Sequence, residues 1–541
     1  MNIKRPLSLS NDNFTTLRNN NEIYVDKTQL VAKLGSERSG RYFLSRPRRF
    51  GKSLLLSTFE SLFRYGLRDF EGLAIEKCWE DKETYDVLRL DFSLISEATN
   101  PDELSEYAND MLEYSCLRAG IEPPTSGSFI YKFLQILNRY QSKKLVLLID
   151  EYDSPLAHHL HESQAFSMHQ RFLGRMFQYI KSSTSNLRFF LLTGIAKFGN
   201  SSIFSSANFL RDITYNQEYN ALLGLTEQEL ILYYAEHLKS IEERLSIAHE
   251  DLIKGLKDYY DGYCFSKKIS ERIYNPWSIL SFLDNPDRDF PNYWYKSGGE
   301  PSILKNYLQL HDLSKPDTFF EPKRISQTEF EMSYSLDAIG ELSLLQQTGY
   351  LTIDCYDGKD VVLKYPNLEV AESLASLYSK TLLKGKTVNQ IGGSDVRETF
   401  QTGKAHQVID LFNKILLNIP YDSHVLTNEY QCRNAVALIL FGAGLRPELE
   451  KHNLFGRSDM EVCIGNRHWV FEFKFAKNET KDVALLNAAI EQIKTKRYGE
   501  GELDGRELIR VAAVFSACKR KITLWDVVDS QSLKTSNPAL T

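Results

Sequence analysis

Residues 41–63 read RYFLSRPRRFGKSLLLSTFESLF, and this stretch decides the fold of the amino-terminal half. Tyr42-Phe43-Leu44 is a short apolar run that reads as a buried strand. A basic loop follows, then Gly51-Lys52-Ser53. Leu55, Phe59, Leu62 and Phe63 then recur at helical spacing, which predicts a helix with one apolar face. Strand, loop, Gly-Lys-Ser and helix in that order make a cradle for a polyphosphate. Backbone N–H groups across Arg49, Phe50, Gly51, Lys52, Ser53 and Leu54 face the anion, together with the positive end of the helix. Lys52 reaches the terminal phosphates, and the Ser53 hydroxyl can ligate Mg²⁺.

The cradle departs from the usual pattern, which begins with Gly five residues before Gly51. Here that position is Arg46, and Pro47 removes one loop donor. Arg46, Arg48 and Arg49 read equally as phosphate contacts or as a solvated basic turn.

A chain of 541 residues exceeds what one hydrophobic core usually supports, so about two to four domains are expected. With 42% hydrophobic and 25% charged residues, the composition is that of a globular protein, not a disordered one. The net charge of −6 argues against a surface coated in basic residues, so any nucleic-acid contact is confined to local patches. Cysteines 78, 116, 264, 355, 432, 463 and 518 are scattered and never form Cys-x-x-Cys. That fits free thiols in a reducing compartment and offers no zinc site. The amino terminus has no apolar signal region and no run approaches about 18 apolar residues, so a cytoplasmic protein without a membrane partner is expected.

Downstream of the cradle, Val87–Phe92 reads as a strand, and helical patterns cover about 102–119, 128–140 and 164–182. Leu145 to Ile149 are five consecutive apolar residues without alternation, which suits a central parallel strand covered on both faces. Asp150 and Glu151 follow at its carboxyl end, where ligands bind in open α/β sheets. Asp150 is suited to hold Mg²⁺ through water beside Ser53, and Glu151 to polarise the water that attacks a γ-phosphate. Leu187–Gly194 is a further buried strand, with the Thr193 hydroxyl at its end as a candidate γ-phosphate sensor. Alternating strands and helices with ligands at the strand ends predict a doubly wound ATPase core over roughly 20–225. His158, His159 and His161 invite a metal reading, which is set aside because no paired Cys or Glu supports it and they open a surface-like helix.

The middle of the chain is helical and aromatic. Tyr259, Tyr260, Tyr263, Tyr274, Trp277, Tyr293, Trp294 and Tyr295 are more readily core residues than a base-stacking surface. Residues 337–366 read as a helix followed by a hairpin turning at Asp357-Gly358, and 381–395 as a connector.

A second chemical site lies near the carboxyl terminus, in FGRSD at 455–459 and FEFK at 471–474. Met460–Ile464 and Arg467–Phe475 read as strands joined by Gly465-Asn466, a pair suited to a type II′ turn. If Ile464 faces Arg467, Asp459 falls opposite Glu472 and the two can share one cation. Trp469, Phe471, Phe473 and Phe475 then line one face, with Val470, Glu472 and Lys474 on the other. Two carboxylates and an ammonium form a costly group to bury without a metal or anion. Carboxylates of Asp459 and Glu472 suit Mg²⁺, and Lys474 suits positioning or stabilising an attack on phosphate. A surface salt bridge on a hairpin is the plain alternative.

Phe43–Leu54 (FLSRPRRFGKSL), Leu147–Asp153 (LLIDEYD), Asp258–Phe265 (DYYDGYCF), Tyr274–Leu280 (YNPWSIL) and Leu345–Leu351 (LQQTGYL) resemble one bacterial family. It is the AAA-ATPase-like family with a carboxyl-terminal PD-(D/E)xK nuclease-like domain, and the resemblance runs over almost the whole chain. Arg46 in place of the first Gly is typical of that family. The resemblance implies an α/β protein with three parts. These are an AAA+-type P-loop ATPase domain over 1–225, a helical lid and winged-helix-like region over 226–380, and the nuclease-like domain over 395–541. It implies ATP and Mg²⁺ as cofactors, with Walker A at the loop and Walker B at Asp150-Glu151. In the second site Glu429 is the match for a further acid of related nucleases, and Gln492, with Tyr498 nearby, for a later-helix residue. The function implied is ATP hydrolysis regulating a Mg²⁺-dependent nuclease on nucleic acid, DNA first, in a homo-oligomer, with roles in phage defence or mobile elements suspected. Arg211 is the arginine-finger candidate. The alternative is an ATP-driven switch whose nuclease fold binds nucleic acid without cutting, and a third reading is a plain ATPase with a structural tail. The Asp459, Glu472 and Lys474 grouping favours the first, and cleavage assays with and without ATP and Mg²⁺ discriminate among them.

Overall fold

The structure, a computed structural model, describes residues 5–140, 144–159, 162–197, 208–268, 271–294, 304, 319–331, 340–383, 386, 390, 395–419, 426–478, 481–500 and 505–528. His161, Tyr295 and, in the expected connector, Lys384, Gly385 and Gly392–Ser394 lie outside them. The chain divides into two compact units, one of residues 1–312 with 322–370 and the other of 313–321 with 371–541.

In the first unit, β1 (Gly40–Ser45), β2 (Asp86–Asp91), β3 (Leu145–Asp150), β4 (Leu187–Gly194) and the short β5 (Arg211–Asp212) form one sheet in the order β2-β3-β4-β1-β5. Every pairing in it is parallel. All residues of β3 and β4 are buried, as expected of strands covered on both faces. The helix Lys52–Tyr65 starts immediately after the phosphate-type loop and buries Leu55, Leu56, Phe59, Leu62 and Phe63. Strand β4 separates β1 from β3, so the loop after β1 and the acids after β3 both lie at the carboxyl edge, where a ligand site belongs.

The remainder of the unit packs around a second core in which Tyr259, Tyr260, Tyr274 and Tyr293 are buried. Tyr263 and Trp294 are buried too, so these aromatics are core rather than a stacking surface. Gly262 takes a φ of 100°, and a Cβ there would lie 1.9 Å from the Pro366 carbonyl oxygen, which accounts for Gly in DYYDGYCF. The helix Glu341–Gln347 precedes the expected hairpin of β7 (Thr352–Asp357) and β8 (Asp360–Lys364). A strand the sequence had not suggested, β6 (Lys323–Ser326), adds to β8 and makes a three-stranded antiparallel sheet.

The second unit is built on β9 (Pro447–Leu449), β10 (Met460–Ile464), β11 (Arg467–Ala476), β12 (Glu507–Ser516) and β13 (Lys521–Val527), in the order β13-β12-β11-β10-β9. The sheet is mixed, with β11 and β12 parallel and the other pairs antiparallel. Gly465 turns the β10–β11 hairpin with a φ of 55°. The register runs from Ile464 opposite Arg467 to Met460 opposite Phe471, as expected from the turn. Trp469, Phe471 and Phe473 stack along one face and pack on Phe400 and Phe412. On the other face Val470 packs with Ala489 and Ile493 of the helix Asp482–Lys496.

Candidate functional site

In the first unit, a cleft of about 580 Å³ is lined by Arg48, Arg49, Phe50, Gly51, Lys52, Ser53, Leu54 and Glu151, with Tyr24, Leu223 and Trp277 among its other walls. Gly51 holds a φ of 88° and leaves only Leu223 Cδ2, at 4.0 Å, near a would-be Cβ. The backbone can therefore approach a ligand closely. Arg49 and Glu151 adopt left-handed φ values of 65° and 49° without being glycine. Such backbone costs free energy and concentrates at ligand sites.

Arg46 is neither a phosphate contact nor part of a solvated turn, because its guanidinium is turned into the protein. It is fully buried. Its Nη1 donates to the Ser45 and Thr214 carbonyls at 2.9 and 2.7 Å, and its Nη2 to the Tyr219 carbonyl at 3.0 Å. The guanidinium lies 4.2 Å from the Phe265 ring centre. Burial draws its pKa down to about 10, so it stays charged at neutral pH. Phe50 packs edge-on against Tyr263 and Phe265, and the Arg49 guanidinium sits 4.3 Å from the Trp277 ring. The stretches SRPRRFGKS, DYYDGYCF and YNPWSIL thus interlock around one loop. Arg46→Ala should therefore destabilise the first unit by roughly 3 kcal/mol, since the Thr214 and Tyr219 carbonyls lose their buried donor. Urea unfolding checks this, and a change in nucleotide affinity at unchanged stability would return Arg46 to the phosphates.

Lys52 is buried and donates Nζ to the Arg46 and Pro47 carbonyls at 2.9 and 3.0 Å. Burial lowers its pKa, against the opposing pull of Asp150, Glu151 and Asp153. Glu151 shifts the other way: burial raises its pKa and Lys52 lowers it in part. Asp150 is buried, with Oδ1 accepting from the Thr193 hydroxyl at 2.7 Å and from the Glu151 N–H at 3.1 Å. Arg89 Nη2 stands 3.4 Å from its Oδ2. Neither Asp150 nor Thr193 is among the cleft-lining residues, and the single Thr193 proton is already donated to Asp150. The Thr193 hydroxyl also lies 3.3 Å from the Ile149 carbonyl, so both of its acceptors belong to β3. Arg211 is exposed and 3.3 Å from Glu37. The donor set of an ammonium, a hydroxyl and a carboxylate on one cleft wall, with Asp150 behind it, fits a nucleotide with Mg²⁺.

The second unit brings Asp459, Glu472, Lys474 and Glu429 together. Asp459 directly precedes β10 and accepts the Phe473 N–H at Oδ2 over 2.7 Å. Lys474 Nζ donates to Glu472 Oε1 at 2.6 Å. Glu472 is fully buried, and its Oε2 has no hydrogen-bond partner. Burial pushes the Glu472 pKa up to about 7, reinforced by Asp459 and opposed by Lys474. Burial likewise raises Asp459, against the Phe473 N–H and Lys474. Glu429 opens the helix Glu429–Gly442, is raised by burial, and feels Lys474, Asp459 and Arg433. Burial works to lower Lys474, but the Glu472 bond and the surrounding acids raise it overall.

An orphaned, buried carboxylate oxygen beside a second raised carboxylate is what a divalent cation would satisfy. Among the described residues no group of three or more His, Cys, Asp or Glu side chains is placed to hold a metal ion. Mg²⁺ does not require such a group, because it binds through one or two carboxylates plus water and substrate phosphate. Asp459 and Glu472 fit that demand, with Glu429 adding negative charge. On the expected helix, Gln492 Nε2 donates to the buried Tyr498 hydroxyl at 3.1 Å. Tyr498 in turn feels the charges of Glu472 and Asp459.

Sequence reasoning missed two partners. Arg433 is buried, with Nη1 3.2 Å from Glu450 Oε1 and 3.8 Å from Asp459 Oδ1. Glu450 has a φ of 55° and donates its N–H to the Asp459 carbonyl at 3.2 Å. Positive φ on a glutamate leaves no trace in spacing, and Arg433 sits beside Gln431 and Asn434 in a helix whose first turns are polar, so it does not stand out.

Beside this group, His468 Nε2 meets Glu461 Oε2 at 2.8 Å, and the Ser458 hydroxyl donates to Glu461 Oε1 at 2.7 Å. Burial opposes the imidazolium, but Cys463 and Glu461 outweigh it and push the pKa up to about 9. The raised pKa makes this contribution to stability full below about pH 6.5 and lost as pH rises through about 9. Thermal melts across that window should show the decline, and His468→Gln should flatten it.

Two domain classes follow from these arrangements, and the comparisons name both. Residues 8–204 match the AAA-ATPase-like family model, described as "Predicted AAA-ATPase", and residues 429–525 match that of the PD-(D/E)XK nuclease superfamily. The chain carries an AAA-ATPase-like domain and a carboxyl-terminal PD-(D/E)XK nuclease superfamily domain. It is 28% identical over 522 residues to the "Uncharacterized protein in vnfD 5'region" of Azotobacter chroococcum mcd 1, covering 92% of this chain and 93% of that protein.

Proposed function

We propose that this protein binds and hydrolyses ATP to regulate a Mg²⁺-dependent nuclease that cuts phosphodiester bonds in nucleic acid, DNA first. The carrying observation is the orphaned Glu472 Oε2, buried beside Asp459 and bonded on its other oxygen side to Lys474. In the first unit Lys52 would hold the terminal phosphates of a bound nucleotide, and Ser53, with Asp150 acting through water, would hold its Mg²⁺. Glu151 orients the attacking water and takes its proton. In the second, Asp459 and Glu472 would hold Mg²⁺ and Lys474 would offset charge that develops on the phosphate. When bound, Mg²⁺ supplies charge neutralisation and a more acidic water.

We assign the ATPase to 1–225, a helical lid and winged-helix-like region to 226–380 and the nuclease to 395–541. The protein works as a homo-oligomer in the cytoplasm. No helix among the described residues is long and apolar enough to cross a membrane. A setting in phage defence or mobile-element biology rests on the family resemblance. The deciding experiment incubates the protein with plasmid, single-stranded DNA and RNA, with and without ATP and Mg²⁺. Mg²⁺-dependent cutting that responds to ATP is the expected result. Binding without cutting in every condition would leave the ATP-driven switch.

A further inference from the structure

Beyond β9 and before β10 the chain continues as a narrow arm. The Glu450 N–H donates to the Asp459 carbonyl at 3.2 Å and the Ser458 N–H to the Lys451 carbonyl at 3.0 Å. His452 bridges Arg457 in the same antiparallel sense, and the Asn453 N–H donates to the Gly456 carbonyl at 2.9 Å. The tip is Leu454-Phe455, and the base is Asp459.

This arm is stiff. Asn453 Oδ1 accepts the Phe455 and Gly456 N–H groups at 2.8 and 2.7 Å. Asn453 Nδ2 donates to the Lys496 and Arg497 carbonyls at 2.8 and 3.3 Å, which latches the arm to the end of the helix Asp482–Lys496. Gly456 presses on that helix, since a Cβ there would lie 2.9 Å from Lys496 Cδ. The Arg497 guanidinium sits 5.5 Å from the Phe455 ring.

Yet the tip buries little. Leu454 is 95% exposed, the most of any large apolar residue described, and Phe455 is 50% exposed. Hydrogen bonds hold two large apolar side chains out in solvent, which folding alone does not require. Between Glu450 and Asp459 the arm carries Lys451, His452 and Arg457 and no acid, with Lys496 and Arg497 exposed beside it. Lys451 pairs with Glu448 at 2.9 Å, and Arg457 and Arg497 are positioned by Glu450 and Glu500 at 2.9 and 2.6 Å. The base of the arm is Asp459 of the proposed nuclease site, so a strand held there runs along the arm, with Lys496 and Arg497 exposed at its side to meet phosphates.

We propose that Leu454 and Phe455 form a wedge that enters a nucleic-acid duplex and unstacks a base step a few nucleotides from the scissile phosphate. The inference rests on the nuclease reading and adds to it the form of the substrate. At about 3.3 Å per residue, the arm sets its tip roughly 15 Å from Asp459. At about 3.4 Å per nucleotide that is roughly four steps along a strand, close enough to deform the segment being cut. Apolar wedges that part base steps and kink duplexes act through such Leu and Phe side chains.

The test uses the full chain with Ca²⁺ replacing Mg²⁺, and a DNA duplex carrying 2-aminopurine at successive positions. Wild type should raise the fluorescence of one position about four steps from the cut site. Leu454→Ser/Phe455→Ser should abolish that rise and slow duplex cleavage in Mg²⁺ by about tenfold or more. ATP turnover should not change and the melting temperature should fall only slightly, since Phe455 is half buried; Leu454→Gln, at a 95% exposed position, should leave both unchanged. Duplex bound by wild type without a fluorescence rise, and cut equally by the variant, would overturn the wedge while sparing the nuclease. An equal loss on single-stranded DNA would make the tip a stacking platform instead. A change in oligomeric state on substitution would make it a seat for a second copy. Wild type that binds no nucleic acid at all would remove the nuclease reading together with the wedge.

Discussion

Glu472→Gln removes Mg²⁺-dependent cleavage, by about 10³-fold or more, and leaves ATP turnover largely intact. The magnitude follows from the metal, whose stabilisation of transition-state charge is worth several kcal/mol, at about 1.4 kcal/mol per decade of rate. ATPase activity survives because Lys52 and Glu151 belong to the other compact unit. The substitution also removes a buried carboxylate whose ionisation burial and Asp459 both oppose. Apo stability should therefore hold or rise slightly.

Asp459→Ala should silence cleavage equally but behave differently in unfolding. Its Oδ2 is the acceptor for the Phe473 N–H, so the alanine leaves that donor stranded in the sheet edge. A loss of about 1–2 kcal/mol is expected, and Asp459→Asn should recover most of it while staying inactive. Lys474→Ala separates the readings further, since an ammonium does not ligate Mg²⁺: the rate falls and metal binding stays near wild type. Calorimetric titration with Mg²⁺ and Mn²⁺, alongside urea unfolding, measures both quantities. A hairpin held by an ordinary salt bridge would instead lose stability on Glu472→Gln and keep whatever cutting it had.

What could be read from the chain alone follows a physical divide. β3 and β4 were legible because a strand covered on both faces must be apolar throughout, and Leu145–Ile149 is. The pairing of β10 and β11 was legible because a two-residue turn at Gly465-Asn466 sets the register for every residue behind it. Local chemistry of that kind carries its own signature. Arg46 carries none: its partners Thr214 and Tyr219 lie 168 and 173 residues away, and nothing in a basic loop announces a buried staple. Thr193 shows the same limit on a smaller scale. Its place at the end of β4 was readable, but the bond to Asp150 that takes its proton spans two strands. Glu450 and Arg433 escaped because they meet Asp459 through tertiary contacts without any fixed spacing.

Lys52→Ala abolishes ATP binding, whereas Glu151→Gln retains binding and lowers hydrolysis by about 10²–10⁴-fold. The two outcomes differ because the residues face different partners. Lys52 already directs its ammonium at the Arg46 and Pro47 carbonyls, so the loop is shaped around a cation that phosphate oxygens can take over. Glutamine at 151 keeps the side-chain volume on a backbone held at a φ of 49° and removes only the base. Glu151→Gln therefore holds the ATP-bound conformation, and a ligand shifts an equilibrium only by its differential affinity for the two states. If ATP gates the nuclease, plasmid cutting by Glu151→Gln with ATP should move strongly away from the apo rate and stay there. Lys52→Ala should remain at the apo rate however much ATP is added. A tenfold change in cutting would correspond to about 1.4 kcal/mol of coupling between the sites. Equal cleavage by apo, ATP-bound and locked protein would set that coupling at zero and leave two independent enzymes on one chain.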